Sequence, residues 1–191
     1  MKHIAITGGI GSGKSFVCRK LKDYGIEVYD CDSAAKRLWS TDAILRRELQ
    51  GIVGEGVYVD KVLQKDVLRQ YLLRSEANKL TIDNLIHPAI ARDFLLSGHG
   101  WLESAILFDS GFYKRLHFDY KVCVSAPLQT RVERVMLRDG ISEEKAKKWI
   151  GSQWSQDKVE SLCDFVIVND GKRDLDRQIR LLMGKIKEER Q

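Results

Sequence analysis

Short apolar runs alternate with stretches of helical periodicity along most of this chain. The apolar runs lie at 3–7, 26–29, 103–108, 120–125 and 164–168. Several of them are apolar at both odd and even positions, which is typical of parallel strands covered on two faces. Helical patterns lie at 14–24, 33–39, 42–53, 61–74, 78–97, 127–138, 143–154 and 173–188. This alternation of strands and helices predicts an α/β fold.

A long, largely helical stretch separates the second predicted strand from the third. This stretch covers residues 33–100, of which 40–100 is long for one crossover, so we expect a helical insertion beside the sheet. A second helix pair, over 128–162, also looks separable from the sheet. We therefore predict a single domain, 1–191, whose core is formed by 1–32, 101–127 and 163–191.

The composition narrows the classes of protein that fit. No apolar run approaches the roughly 18 residues that a membrane span needs. The four cysteines lack C-x-x-C spacing, so we expect reduced thiols, no zinc site and a cytoplasmic protein. The formal net charge of +5 favours anionic partners. Because aromatic residues do not interleave with a basic stripe, phosphorylated small molecules fit better than nucleic acid.

Residues 8–15 read GGIGSGKS and match the pattern G-x-x-x-x-G-K-[ST]. The pattern follows a predicted strand and opens a helix, which is the context in which backbone N–H groups surround phosphates. It predicts an ATP site, in which Lys14 neutralises the β- and γ-phosphates and also serves catalysis, and Ser15 Oγ holds Mg²⁺. The alternative is a glycine-rich turn without a ligand. The predicted ATP-binding residues are Gly9, Gly11, Ser12, Gly13, Lys14, Ser15, Phe16 and Val17.

Other nucleotide-binding classes fit less well. The chain has no N-K-x-D stretch for guanine, which argues against a GTPase. A small kinase is therefore the economical interpretation. Two alternatives stay open: another small-molecule or nucleotide kinase, and a nucleotide-binding switch that does not transfer phosphate.

Several further stretches occur in one order: VYDCD at 28–32, LIHPAI at 85–90, AILFDSGFYKR at 105–115, RVERVMLRDGIS at 131–142 and SQWSQDKVESLCDFVIVNDG at 152–171. Together with ITGGIGSGKS, they resemble the dephospho-CoA kinase family. The resemblance implies a P-loop kinase fold with helices on both faces of a five-stranded parallel sheet in the order 2-3-1-4-5. It also implies that 33–100 binds the CoA substrate and that 128–162 forms a lid.

The reaction implied by the resemblance is the last step of coenzyme A synthesis. The γ-phosphoryl group of ATP passes to the ribose 3′-hydroxyl of dephospho-CoA, with Mg²⁺, to give coenzyme A and ADP. The expected partners are these two substrates, without nucleic acid or membrane. The oligomeric state is left open between a monomer and a weak oligomer.

Three acids are expected at one end of the sheet, because ligands of parallel sheets bind beyond the carboxyl ends of strands. Asp30 and Asp32 follow the second predicted strand, and Asp109 follows the third. The resemblance makes Asp32 the candidate catalytic base, whereas the alternative is an N-cap of the next helix. Asp30 would support the turn or the substrate. Asp109 stands where the family often has Glu and is expected near Mg²⁺ or the substrate, with a strand-end cap as the alternative.

The remaining candidates are mostly basic. Arg134 and Arg138 are four residues apart and share a helix face; we expect Arg138 to close on the phosphates during catalysis, with a solvated basic face as the alternative. His87 precedes Pro88, so we expect an extended or turning backbone there and either a substrate contact or a structural role.

Two further candidates complete the predicted site. Lys114, beside Arg115, would meet the pyrophosphate of dephospho-CoA or belong to a surface basic pair. Asn169, which follows the last predicted strand, is expected near the adenine of ATP.

Overall fold

The chain forms two compact units in a computed structural model that describes residues 1–188. The first unit contains Met1–Tyr29, His99–Tyr113 and the chain from His117 onward, and the second contains Asp30–Gly98 and Lys114–Leu116. The predicted core segment 163–191 ends with three residues, 189–191, that lie outside the described range. No helix among the described residues is long and apolar enough to cross a membrane.

The first unit is built on a five-stranded sheet. The strands of the described residues are β1 (Ile4–Thr7), β2 (Val28–Asp30), β3 (Tyr58–Val59), β4 (Val62–Leu63), β5 (Trp101–Glu103), β6 (Tyr120–Ser125) and β7 (Phe165–Val168). The sheet order is β2-β5-β1-β6-β7, and the pairs β5–β1, β1–β6 and β6–β7 are parallel. Counted within the sheet, this is the predicted order 2-3-1-4-5, which is thereby confirmed.

Every residue of β1 is buried, because the strand lies in the centre of the sheet and is covered on both faces. Helices α1 (Lys14–Lys22) and α9 (Leu175–Glu188) contribute Val17, Leu21, Ile179 and Leu182 to the core against the sheet. Removing this apolar surface from water is the main stabilising contribution to the unit. It also fixes the loop between β1 and α1, where the GGIGSGKS motif lies.

The third strand of the sheet was predicted at 103–108, and that prediction is wrong. The strand is β5, Trp101–Glu103, and residues 105–110 form successive turns. The Ser110 and Gly111 N–H groups donate to the carbonyls of Ile106 and Phe108, both at 3.0 Å. Leu107 is fully buried in these turns, so the apolar run reflects burial and not extension. The acid that ends this strand is consequently Glu103.

A group of short helices follows β6 in the first unit. They are α6 (Leu128–Asp139), α7 (Glu143–Gly151) and α8 (Gln156–Ser161). Helix α7 ends before the predicted 154, and a linker joins it to α8. Helices α6 and α7 share a small core of Val132, Val135, Ala146 and Ile150, against which Ile10 packs.

The second unit is mainly helical. Its helices are α2 (Cys31–Thr41), α3 (Ala43–Val53), α4 (Lys65–Leu73) and α5 (Glu76–Leu96), and α5 packs against the other three. The helix predicted over 61–74 begins only at Lys65. The residues before it belong to the antiparallel hairpin β3–β4, which the sequence pattern did not predict.

The hairpin turn is formed by Asp60 and Lys61, whose φ angles are +49° and +65°. Positive φ at both central residues is the pattern of a type I′ turn, which favours Asn-Gly or Asp-Gly. Lysine at the second position therefore strains the backbone, because its Cβ crowds the carbonyl in this region. The missing glycine is also why the hairpin carries no strong sequence signal.

We expect Lys61→Gly to stabilise the protein by roughly 0.5–1 kcal/mol, since it supplies the preferred Asp-Gly turn. The urea midpoint should rise with an unchanged slope. As a matched control, Lys36→Gly in the interior of α2 should lower the free energy of unfolding by about 1 kcal/mol. A fall in the midpoint for Lys61→Gly would contradict the turn assignment.

Candidate active site

The loop between β1 and α1 presents backbone N–H groups at a helix N-terminus. Helix α1 begins at Lys14, and its N-cap, Gly13, offers no side chain to satisfy the first N–H groups. The Ser12 hydroxyl is buried and has no hydrogen-bond partner among the described residues. A helix N-terminus without a side-chain cap, next to this hydroxyl, suits a phosphate group because the helix dipole is positive there.

Two glycines of the loop lie in close contact with side chains from distant parts of the chain. A Cβ on Gly9 would collide with the guanidinium of Arg131, whose Cζ would be 2.9 Å away. A Cβ on Gly13 would collide with the side-chain amide of Asn169, and Gly13 also has a φ of +89°. The motif is therefore a steric requirement of this fold as well as a phosphate signature.

Lys14 is held at the base of the loop. Its Nζ donates to the Gly8 carbonyl at 2.7 Å and lies 3.8 Å from Oε1 of Glu103. Both side chains are largely buried, with exposed fractions of 10% and 13%. The sequence reasoning missed Glu103, although an acid directly after the apolar pair Trp101-Leu102 was an available signal. The predicted ATP-binding residues Ser15 and Phe16 are exposed, whereas the Val17 side chain belongs to the core.

Asp109 does not end a strand, contrary to the expectation. It lies in the turns after β5, and its Oδ2 accepts a hydrogen bond from the Trp154 N–H at 2.9 Å. The carboxylate therefore braces the linker between α7 and α8. Its predicted contact with metal or substrate stays a prediction.

The arginines of α6 are distributed differently from the expectation. Arg134 Nη1 lies 3.4 Å and 3.3 Å from the carbonyls of Gly11 and Ser12. Arg138 is mostly exposed and pairs with Asp139 at 2.7 Å. The arginine most closely joined to the loop is Arg131, which the sequence reasoning did not single out. The catalytic role predicted for Arg138 stays a prediction.

Asn169 follows β7 and is buried against the loop. Its side-chain amide donates to the Ser12 carbonyl at 2.9 Å, and its backbone N–H donates to the Ser125 carbonyl at 2.7 Å. Asn169 thus supports the loop from the carboxyl end of the sheet. The predicted contact with adenine stays a prediction.

In the second unit, the acid that caps α2 is Asp30 and not Asp32. Both Asp30 oxygens are engaged, with the Ser33 N–H at 3.0 Å and the Ser33 hydroxyl at 2.8 Å. The expectation that Asp32 could be the N-cap is wrong, because the helix begins at Cys31, two residues earlier than predicted. Asp32 lies exposed in the first turn. Asp30 supports the turn, as predicted.

His87 is helical and not extended, which corrects the expectation from Pro88. Both residues lie inside α5, where tertiary packing overrides the local bias before proline. His87 Nε2 is 3.6 Å from Oδ1 of Asp83, and Arg115 donates to the Asn84 side chain. Burial, with a further contribution from Arg115, lowers the pKa of His87 to about 4. Burial raises the pKa of Asp83 to about 6, so His87 is neutral at pH 7 and the two side chains form no ion pair.

Lys114 lies in a short 3-10 helix, Phe112–Lys114, and is exposed. Together with Arg115 it forms part of the second unit. This unit therefore contains Asp30, Asp32, His87 and Lys114 of the predicted site, whereas the first unit contains the loop residues, Asp109, Arg138 and Asn169.

The lowered pKa of His87 predicts a pH-dependent contribution to stability. Between its unfolded value of 6.5 and about 4, the unfolded chain binds a proton that the folded chain does not. The contribution is therefore complete above pH 6.5 and is lost as the pH falls towards 4. We expect the difference in urea midpoint between the wild type and His87→Asn to shrink between pH of about 7.5 and about 5.

Asp83→Asn provides the control of opposite sign. Between about 6 and 3.8 the folded chain holds a proton that the unfolded chain has released. The wild type should therefore gain stability relative to Asp83→Asn on acidification through this window. A midpoint difference that does not change with pH in either variant would contradict the burial of the pair.

Comparisons with known proteins agree with the geometry of the loop and the sheet. A family model described as dephospho-CoA kinase matches residues 2–174. A dephospho-CoA kinase from Bacteroides fragilis is 40% identical over 188 residues, which span 95% of this chain and 91% of that protein. A solved structure from Thermus thermophilus superposes with a TM-score of 0.81 at 30% identity, over 96% of this chain and 97% of that one. Dephospho-CoA kinase from Campylobacter jejuni shares the fold, with a TM-score of 0.67 at 20% identity over 100% of both chains. The resemblance suggested by the motifs is confirmed, and the chain belongs to the dephospho-CoA kinase family.

Proposed function

We propose that this protein transfers the γ-phosphoryl group of ATP to the ribose 3′-hydroxyl of dephospho-CoA, giving coenzyme A and ADP. The observation that carries this proposal is the phosphate loop at 8–15, built with its supporting side chains in a chain that matches the family over 2–174. The loop supports the ATP half of the reaction. The family supports the identity of the acceptor.

On the ATP side, the backbone N–H groups of the loop would surround the β-phosphate, and Lys14 would neutralise charge on the β- and γ-phosphates. Lys14 lies at the base of the loop, where its ammonium group donates to the Gly8 carbonyl. Asn169 would hold the Ser12 peptide in place and so position the loop for ATP; its contact with the adenine is part of the proposal. Arg134 and Arg138 would add positive charge from the 128–162 lid.

Oxygen ligands suitable for Mg²⁺ lie at this loop. Ser15 offers a hydroxyl at the start of α1, and Glu103 offers a carboxylate beside Lys14. Mg²⁺ in kinases is bound by one or two such groups and by the substrate phosphates, so the residues fit this ion. When bound, Mg²⁺ would shield the charge of the phosphates. We infer that Glu103, with Ser15, fits this role better than Asp109, whose Oδ2 already holds the Trp154 N–H.

For the acceptor, we propose that Asp32 receives a hydrogen bond from the attacking 3′-hydroxyl. The oxygen of that hydroxyl forms the new bond to the γ-phosphorus while the bond to ADP breaks. A loose transition state needs little deprotonation early in this step, so a carboxylate can orient the hydroxyl first and accept its proton late. Asp30 leaves Asp32 available for this role, because Asp30 is the residue that caps α2.

The second unit supplies the other acceptor contacts that we propose. The 33–100 insertion would bind dephospho-CoA, with His87 as a neutral hydrogen-bonding group and Lys114 opposite the pyrophosphate. The neutral state of His87 at pH 7 favours a hydrogen bond over an ionic contact. Lys114 is exposed, and an ammonium group on a four-carbon side chain can pair with a phosphate.

The test of the function is ADP formation with a panel of acceptors. Dephospho-CoA should raise ADP formation far above the rate without an acceptor, whereas AMP, shikimate and a nucleoside should not. If one of the other compounds raised ADP formation more than dephospho-CoA does, that compound would be the acceptor instead. Tight ATP binding without turnover for any acceptor would instead support a nucleotide-binding switch.

A second test concerns the role of Asp32. We expect Asp32→Asn to lower kcat by about 10² or more with ATP binding nearly unchanged, which is the usual effect of removing a positioned acid or base. Asp66→Asn is the matched control, because Asp66 is also an exposed acid in the first turn of a helix, α4. A kcat for Asp32→Asn near that of the control would remove Asp32 from the chemistry.

A further inference from the structure

Ile10, at the tip of the phosphate loop, is held by side chains from distant parts of the chain. Its N–H donates to Oε1 of Gln153 at 2.7 Å, and its carbonyl accepts from Nε of Arg131 at 2.8 Å. Its side chain packs against the small core between α6 and α7. Both polar backbone atoms and the apolar side chain of this residue are therefore fixed from outside the loop.

Arg131 is itself anchored to the sheet. Its Nη1 lies 3.4 Å from Oε1 of Gln156, and Nε2 of Gln156 donates to the Ser125 hydroxyl at 2.8 Å. Ser125 is the last residue of β6. A chain of polar contacts thus runs from the carboxyl end of a central strand to the tip of the loop.

The charge of Arg131 is buried without an acidic partner. Only 5% of the residue is exposed, and no carboxylate pairs with it among residues 1–188. Its hydrogen-bond acceptors are neutral carbonyl oxygens. A desolvated cation with neutral partners is costly, and an anion that binds close by offsets that cost.

The position of this charge makes the loop the natural place for that anion. The guanidinium lies against Gly9, and the backbone of Arg131 lies against Gly11, where a Cβ would be 2.6 Å from the Arg131 carbonyl oxygen. The cation therefore lies directly against the loop. It does not need to touch the phosphates in order to raise the local positive potential.

We propose that Gln153 and Arg131 are positioning residues for ATP: together they hold the loop in its phosphate-binding shape before the nucleotide arrives, and Arg131 adds an unneutralised charge behind it. This inference deepens the proposed function and rests on it. Gln153 acts through the Ile10 peptide alone. Arg131 acts through the same peptide and through its charge. The two residues therefore have different experimental signatures.

The test is direct binding of a non-hydrolysable ATP analogue with Mg²⁺ at several salt concentrations. Gln153→Met keeps the length of the side chain and removes the acceptor, so the Kd should rise about tenfold while its salt dependence stays unchanged. Arg131→Met should raise the Kd more and also make log Kd less dependent on log salt, because a charge is lost. A purely structural role would leave the salt dependence of both variants the same.

Gln129→Met is the matched control, since Gln129 is exposed on α6 and its side-chain amide donates to Glu133, away from the loop. Its Kd should equal that of the wild type. Arg131→Lys, which keeps the charge and loses the planar fork, covers the case in which Arg131→Met does not fold. It should retain the wild-type salt dependence with a raised Kd.

The outcomes separate this inference from the function on which it rests. If the wild type binds the analogue and Gln153→Met has the same Kd, the positioning role is overturned. This holds whatever the turnover with dephospho-CoA. An equal salt dependence for Arg131→Met and the wild type overturns the role of the charge. A wild type that binds no analogue overturns the proposed function as well.

Discussion

The close approach of other chain segments to the phosphate loop is the constraint on which the first unit depends. The Arg131 guanidinium lies where a side chain at Gly9 would be, and the Asn169 amide lies where one at Gly13 would be. The sheet order places β6 beside the strand that precedes the loop and β7 beside β6, and the segments that follow β6 and β7 both contact the loop. Glycine, strand order and supporting polar groups are thus parts of one arrangement that presents N–H groups to an anion.

The sheet and the loop could be predicted because both depend on local patterns. A buried parallel strand is apolar at both parities, and the phosphate motif has a fixed spacing. The prediction of the third strand at 103–108 was wrong for a related reason. Leu107 is buried in a turn as fully as a strand residue would be. The apolar pattern of the sequence therefore indicates that the residue is buried, but it does not indicate the backbone conformation. For the same reason, the sequence did not indicate that Glu103 is the acid at the end of the strand.

Other features depend on choices between neighbours or on long-range contacts. Asp30 and Asp32 are chemically equivalent candidates for a cap, and only the start of α2 decides between them. Gln153 and Arg131 are 143 and 121 residues away from the peptide that they hold. The three arginines of RVERVMLRD look alike in the sequence, and the packing of α6 alone determines which one is buried. Substrate roles for Asp32, His87 and Lys114 accordingly rest on the family and not on a pattern.

The contact between Gly9 and Arg131 also has an evolutionary consequence. Because the guanidinium fills the space beside the Gly9 Cα, a larger residue at position 9 requires either a shorter residue at 131 or a displaced Arg131 side chain. A displaced Arg131 side chain would lose its hydrogen bond to the Ile10 carbonyl, and a shorter residue at 131 next to Gly9 would leave a gap. Positions 9 and 131, which are far apart in the chain, should therefore co-vary among relatives. The shape of the loop would then depend on both residues together.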